Sequence, residues 1–164
     1  MYHYRLYNPK LDIDLNEWSK KEYSNYYDAI HSLALFNEDI SEIYEWYISH
    51  PNEMSNICDK LVVVEYDAIK IAFIVINYFE KDNKKVLGIN PIVINPKYIN
   101  NGYGKGIINE LISKKGNILD LFPDCIYAGI DCNNLICKHV FESTGFKNIG
   151  STENKDFLYY EYAF

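Results

Sequence analysis

The chain has 164 residues, 48% of them hydrophobic and 24% charged, a composition that excludes a disordered or fibrous protein. One domain spanning residues 1–164 is expected, large enough to bury roughly 70% of the surface its unfolded form exposes. The formal charge of −7 argues against broad nucleic-acid binding, which needs a basic surface to displace counterions from phosphates.

The charge is unevenly spread. Residues 1–60 carry eleven Asp and Glu against five Lys and Arg, whereas residues 97–115 carry Lys97, Lys105, Lys114 and Lys115 against Glu110. One region therefore favours a cation and the other an anion. No basic n-region followed by an apolar h-region opens the chain, and the runs IAFIVI and LVVV are far too short for a bilayer. A cytoplasmic protein without membrane contact is the expectation. Cys58, Cys125, Cys132 and Cys137 show no C-x-x-C spacing, so free thiols are expected rather than a zinc site or a disulfide framework, and no metal is expected.

YHYRLY reads as a short first strand. Leu15, Trp18, Tyr26, Ile30 and Leu33 recur at helical steps, interrupted at Glu22. NEDISEIYEWYISHP reads as a second helix, with Asn37 as its cap, Ile40, Tyr44 and Tyr47 on one face, and Pro51 ending it. LVVVEY, the turn DAIK, IAFIVINYF, the turn KDNKK and VLGINPIVI read as a three-stranded antiparallel meander. Pro91 lies inside its third strand. Proline cannot donate to a ladder, so an edge, a bulge or an opening in the sheet is predicted there. Ile107, Ile108, Leu111 and Ile112 form the apolar stripe of a third helix, with Gly116 as its C-terminal cap. A strand at CIYAGID, a helix from about Asn134 to Thr144, and two strands at FKNIG and FLYYEYAF complete the chain.

The segment NPKYINNGYGKG places Gly102, Gly104 and Gly106 between the third meander strand and the third helix. Strand, glycine-rich turn and helix together make an anion site, because the first helical turn presents unpaired N–H groups and the positive end of the dipole. For any single glycine, a tight turn or close helix packing is the plainer explanation. GYGKGII does not supply a P-loop, and a dinucleotide fingerprint would need glycine at Ile107.

What remains is P-x-x-x-x-x-G-x-G from Pro96 to Gly104 after an apolar strand, joined further on by Asn134, Phe141, Glu142, Gly145 and Phe146 in an unbroken register. In both motifs the chain resembles the GNAT superfamily of acyl-CoA N-acyltransferases. The resemblance covers roughly the whole chain. It implies a mixed α/β (α+β) three-layer fold: a central, mostly antiparallel sheet of about seven strands, splayed at the acyl-CoA site and flanked by about four helices.

The resemblance also implies acetyl-CoA as cosubstrate and a direct transfer of acetyl to a primary amine. Its pyrophosphate would be held by Asn100, Asn101, Gly102, Tyr103, Gly104, Lys105 and Gly106. Ile92, Val93 and Ile94 would offer main-chain groups to the pantetheine arm, Asn134 would bond it from the other side, and Phe141 would pack against it. Ile99 stands where the family usually has Arg or Gln, and Phe141 where it usually has a Tyr that protonates the departing thiolate.

The family's usual strand Glu falls near Gly88, with Asn90 two residues along the same face. Catalytic candidates are accordingly Asn90, which can order water, together with Glu65 and Asp131; Glu161 is a further carboxylate on the last strand. Asp131 can equally cap the following helix, and Glu161 can be a solvent-facing strand residue. His139 reads as a surface or packing residue.

Acceptor specificity in the family comes from the first two helices and the last hairpin. Those parts are acidic and Tyr-rich here, so a small cationic amine of the aminoglycoside or polyamine type, or a peptide amine, fits. Glu38, Asp39, Glu42 and Glu45 would attract it, and Trp18, Tyr26, Tyr44 or Trp46 would contact its body. The alternatives are a non-catalytic coenzyme A-binding or protein-interaction module on the same fold and, more distantly, a nucleotide-binding regulator. A homodimer is expected by family analogy.

Overall fold

The computed structural model describes residues 1–15, 18 and 56–164, and of residues 56–59, 90 and 91 the backbone only. The second predicted helix and nearly all of the first lie outside the described residues, and with them the acidic positions 38–45 and Tyr26, Tyr44 and Trp46. What is described is one seven-stranded sheet in the order β1-β2-β3-β4-β5-β7-β6. Its strands are β1 (Tyr2–Leu6), β2 (Asn56–Tyr66), β3 (Ile69–Lys81), β4 (Lys84–Ile94), β5 (Cys125–Asp131), β6 (Lys147–Ser151) and β7 (Phe157–Ala163). All pairings are antiparallel except β4 with β5. Helix α1 (Tyr103–Ser113) makes the crossover between those two, and α2 (Leu135–Ser143) follows β5. Among the described residues no helix is long and apolar enough to cross a membrane.

The meander turns carry positive φ at both central residues, Asp67 and Ala68 in one and Asp82 and Asn83 in the other. That is the twist of two-residue hairpin loops, for which Asp and Asn pay less than most side chains. β2 starts at Asn56 rather than Leu61. NICDK lacks an apolar alternation, but the long partner β3 extends the ladder to it.

β3 is buried continuously from Ile71 to Ile76 because both faces of the sheet are covered. Ile74 and Ile76 join Leu87, Ile126, Ile107, Ile108 and Leu111 in the core beneath the two helices. Phe73 and Val75 face a second core with Tyr7, Leu15, Trp18 and Val93. Each such side chain contributes roughly 1.5–3 kcal/mol on burial.

A charged staple joins the first residues to this second core. The Arg5 guanidinium donates to both Asp12 oxygens at 2.7 and 2.8 Å and, through Nε, to Glu65 at 2.8 Å. Lys70 adds an ion pair to Asp12 at 3.5 Å and another to Asp14. Burial of the Asp12 carboxylate on its own acts to raise its pKa, but Arg5, the Asn8 amide and Lys70 outweigh it and hold Asp12 below the usual carboxylate range.

Candidate active site

The parallel pairing of β4 with β5 is short. It runs from Val86–Cys125 to Ile89–Ala128 and then stops, while β4 stays paired with β3 through Ile94. The cause is visible in the register: Ile76 faces Ile89 and Ile74 faces Ile92, so Val75 alone opposes both Asn90 and Pro91. This is a β-bulge, and a proline within it removes a donor and bends the strand away from its neighbour. Beyond it, β4 has no ladder partner in β5, and Gly129–Asp131 of β5 pair only with β7. The bulge and the opening predicted at Pro91 are therefore both present. Val93 lies in the second core, and Ile92 and Ile94 pack against the first. Their side chains are core; what they can offer to the gap is main chain.

At the end of β4, Asn95 fastens the strand to the loop. Its amide donates to the Ile71 carbonyl at 2.8 Å, and its side chain donates to the Lys70 carbonyl and accepts from the Lys97 amide, each at 3.1 Å. A single 3-10 turn, Pro96–Tyr98, follows. Asn100 at φ 65° and Gly102 at φ 79° then reverse the chain into α1.

The three glycines separate into three cases. Gly102 is the N-cap in a left-handed conformation with no side chain to satisfy the helix amides. Gly106 permits close packing, since a Cβ there would fall 2.0 Å from the Tyr2 hydroxyl. A Cβ on Gly104 would meet nothing within 4 Å. Turn geometry accounts for the first and packing for the second, but nothing inside the described protein calls for a bare backbone at Gly104.

The two helix starts contrast. In α2 the Asn134 side chain accepts from the Cys137 amide at 3.0 Å, an ordinary cap. In α1 the cap bond is absent, and the first helical bond runs from the Gly106 amide to the Gly102 carbonyl at 2.9 Å. The amides of Tyr103, Gly104 and Lys105 precede it and point out of the helix. Lys105 and Asn100 are exposed beside them, while the Asn101 side chain donates back to the Ile99 carbonyl. Lys114 is committed to Glu110 and to the face of Tyr4. Tyr103 belongs to a ladder of aromatic edges running Tyr98–Tyr103–Tyr66–Tyr2, with centroids 6.0, 5.7 and 4.9 Å apart. That ladder fixes the loop to β1 and β2, and no spacing in the sequence signals it.

Several other candidates fall elsewhere. Glu65 sits on β2, separated from β4 by β3, with Arg5 at 2.8 Å and His3 at 3.5 Å; it belongs to the staple, not to the gap. Asp131 is buried and its carboxylate accepts from the Asn133 amide at 2.9 Å, an Asx turn that leads into the capped helix. Phe141 is 3% exposed and stacks edge-on against Phe146 at 4.8 Å. This contact closes the end of α2. There the Gly145 and Phe146 amides bond to the Glu142 and Phe141 carbonyls at 3.1 Å, with Gly145 at φ 95°. The ring of Phe141 lies in the core beneath α2. Glu142 is occupied as well, accepting from the buried Tyr160 hydroxyl at 2.7 Å. In α1 the ending uses two left-handed residues, Lys115 at φ 50° and Gly116 at φ 66°; the Gly116 amide bonds to the Leu111 carbonyl at 2.7 Å, and the glycine lies tight against Pro123.

Gly88, where the resemblance would put a strand carboxylate, is closely neighboured. A Cβ there would lie 3.3 Å from the Phe79 ring and 3.5 Å from Asn77. Across the sheet, Gly88 is in register with Tyr127, and Tyr127 with Glu161. One step toward the gap, Tyr159 lies over Gly129 and stacks on Tyr127 at 5.6 Å. The period-two alternation of FLYYEYAF was the signal available for placing Tyr159 and Glu161 on one face.

Comparison with known proteins agrees with this architecture. The model of the Acetyltransferase (GNAT) family matches residues 13–146, and the chain belongs to that family. It is thereby an acyl-CoA-dependent acetyltransferase, with acetyl-CoA as cosubstrate. No curated protein matches the sequence. Similar solved structures include spermidine N-acetyltransferase from Vibrio cholerae in complex with CoA and spermine, at 16% identity and a TM-score of 0.68 over 99% of this chain and 95% of that one. Aminoglycoside N(6')acetyltransferase from Legionella pneumophila is 13% identical with a TM-score of 0.69, over 99% and 91% of the two chains. Aminoglycoside acetyltransferase AAC(6')-Ib in complex with coenzyme A is 16% identical with a TM-score of 0.69, over 99% and 95%. At these identities the likeness is one of fold.

Proposed function

We propose that the protein moves the acetyl group of acetyl-CoA to a primary amine on a small cationic acceptor of the polyamine or aminoglycoside type, with a peptide amine as the other acceptor of the same chemistry. The observation that carries the donor side is the bare, uncapped start of α1 at the end of a strand that has parted from its neighbour. Amides of Gly102–Lys105, with the Lys105 and Asn100 side chains beside them, take the diphosphate. Main chain of Ile92–Ile94 takes the pantetheine arm as an added strand, and an amide there polarises the thioester oxygen. Asn134 lies across the gap at the start of α2, and its carboxamide nitrogen is the group that can reach the arm, since its oxygen is spent on the cap.

The amine attacks the thioester carbon directly and must be neutral to do so. An alkyl amine is uncharged in roughly one of a few thousand molecules at neutral pH. With Gly88 lacking a side chain, Glu65 paired to Arg5 and Asp131 held in its turn, proton loss runs through water ordered near Asn90. The departing thiolate takes its proton from solvent, Phe141 having no hydroxyl to give. The acceptor class is supported by the acidic, Tyr-rich first third of the sequence and by the spermidine and aminoglycoside enzymes among the similar structures.

The test compares melting with acetyl-CoA, coenzyme A and ATP, then follows thiol release with spermidine, spermine, an aminoglycoside and a lysine peptide. Stabilisation by both coenzyme A species but not ATP, with turnover on one of these amines, is expected. Absence of any coenzyme A-dependent shift would sink the donor site, and turnover confined to an uncharged acceptor would sink the acceptor class.

A further inference from the structure

A cavity of about 410 Å³ opens on the sheet face opposite α1 and α2, toward the β3–β4 hairpin and away from the gap between β4 and β5. Among the described residues its walls belong to β3, β4, β5, β6, β7 and the hairpin turn, and its size falls within the range of small-molecule sites. Val86 and the rings of Phe79 and Tyr127 give it an apolar body. Ile149, in the irregular stretch of β6, stands at its rim with half of its surface exposed.

Around this apolar body stand charges of both signs: Lys81 and Lys84 from the hairpin, Asp82 at the turn, and Glu161 from β7. Among the described residues none of the four is in an ion pair, whereas the staple at Arg5 pairs every charge it contains. Lys84 and Glu161 approach from opposite sides of β5. The Cys125 thiol between them, held up mainly by its burial, is pushed further up by Glu161 and back down by Lys84. Lys81 meanwhile places its ammonium 5.9 Å from the centre of the Tyr127 ring, so a cation over that ring is already tolerated. The stack of Tyr127 on Tyr159 stands between this cavity and the gap where Gly129 leaves β4.

We propose that this cavity is a second small-molecule site, separate from the acyl-transfer gap, for a compact zwitterion with an apolar body, such as a free α-amino acid with an aromatic or branched side chain. Glu161 receives the ammonium, Lys84 the carboxylate, and Phe79, Val86 and Ile149 the side chain. Two opposed charges on one ligand match two opposed side chains that are in no ion pair among the described residues. The site does not rest on the acceptor reading and stands if the acceptor is of another class.

Titration calorimetry on the whole chain with phenylalanine, phenethylamine and 3-phenylpropanoate tests it. Saturable binding of phenylalanine is expected, with both single-charge analogues at least about tenfold weaker, the order of one charge-assisted hydrogen bond. Glu161→Gln should bring phenylalanine down to the level of 3-phenylpropanoate, and Lys84→Met to that of phenethylamine, with the acetyl-CoA melting shift unchanged in both. Wild-type binding needs no variant to fold. Absence of saturation by phenylalanine overturns the proposal, as does binding of phenethylamine as tight as that of phenylalanine, displacement of phenylalanine by acetyl-CoA, or unchanged affinity in folded Glu161→Gln.

Discussion

Replacing Gly104 with alanine should move the protein in two opposite directions. The Cβ enters empty space, with nothing within 4 Å, and residue 104 is the second of α1, so the unliganded protein loses only the backbone entropy that glycine costs a helix. That is a gain of about 0.5–1 kcal/mol, or roughly 1–4 °C in Tm for a chain of this size. If the empty space is where phosphate oxygens meet the amides, the same methyl group stands in their place. A tenfold loss of affinity removes about 1.4 kcal/mol of ligand-linked stabilisation at saturating acetyl-CoA. Thermal melting of wild type and Gly104→Ala with and without acetyl-CoA reads both effects. A variant that melts higher alone but gains less from acetyl-CoA is expected. An acetyl-CoA shift equal to that of wild type would refute the placement of the diphosphate at this turn, whatever happened to the unliganded Tm.

Gly106→Ala should behave oppositely, destabilising the unliganded chain by about 1–3 kcal/mol because its methyl overlaps the Tyr2 hydroxyl; adding Tyr2→Phe should recover part of the loss in urea unfolding. Arg5→Met should cost about 1–3 kcal/mol, because the buried Asp12 carboxylate would keep only the Asn8 amide and Lys70 at 3.5 Å. Asp12 also sets an acid limb. Its folded pKa lies below the ordinary carboxylate range, so its stabilisation is complete above the unfolded pKa and is lost as pH falls through the folded one, and Asp12→Asn should flatten unfolding free energy against pH below about 4. Phe141→Tyr should lower stability by about 1–3 kcal/mol through a hydroxyl placed in the core, without raising kcat; a rise in kcat would show that the ring reaches the thioester.

Much of the local geometry around the candidate site was legible from local rules. Pro91 announced the bulge because a missing N–H disrupts a ladder wherever it falls. The end of α2 was written in Thr144, Gly145 and Phe146, since a left-handed glycine followed by an apolar residue closes a helix on its own last turn. The run from Asn95 to Gly106 carried a turn and an amide-lined helix start for the same reason: those are properties of a dozen consecutive residues.

What only the tertiary structure decided are relations between distant segments. Whether Glu65 is a base or half of an ion pair depends on Arg5, sixty residues away and brought opposite by the β1–β2 register. The different meanings of Gly104 and Gly106 depend on Tyr2, and the crowding at Gly88 on the ring of Phe79. The packing of Phe141 against the ring of Phe146 and the sheet beneath it is likewise invisible in helical spacing. A side chain's conformation is written in its neighbours along the chain, but its partner is chosen by whichever surface folding brings against it.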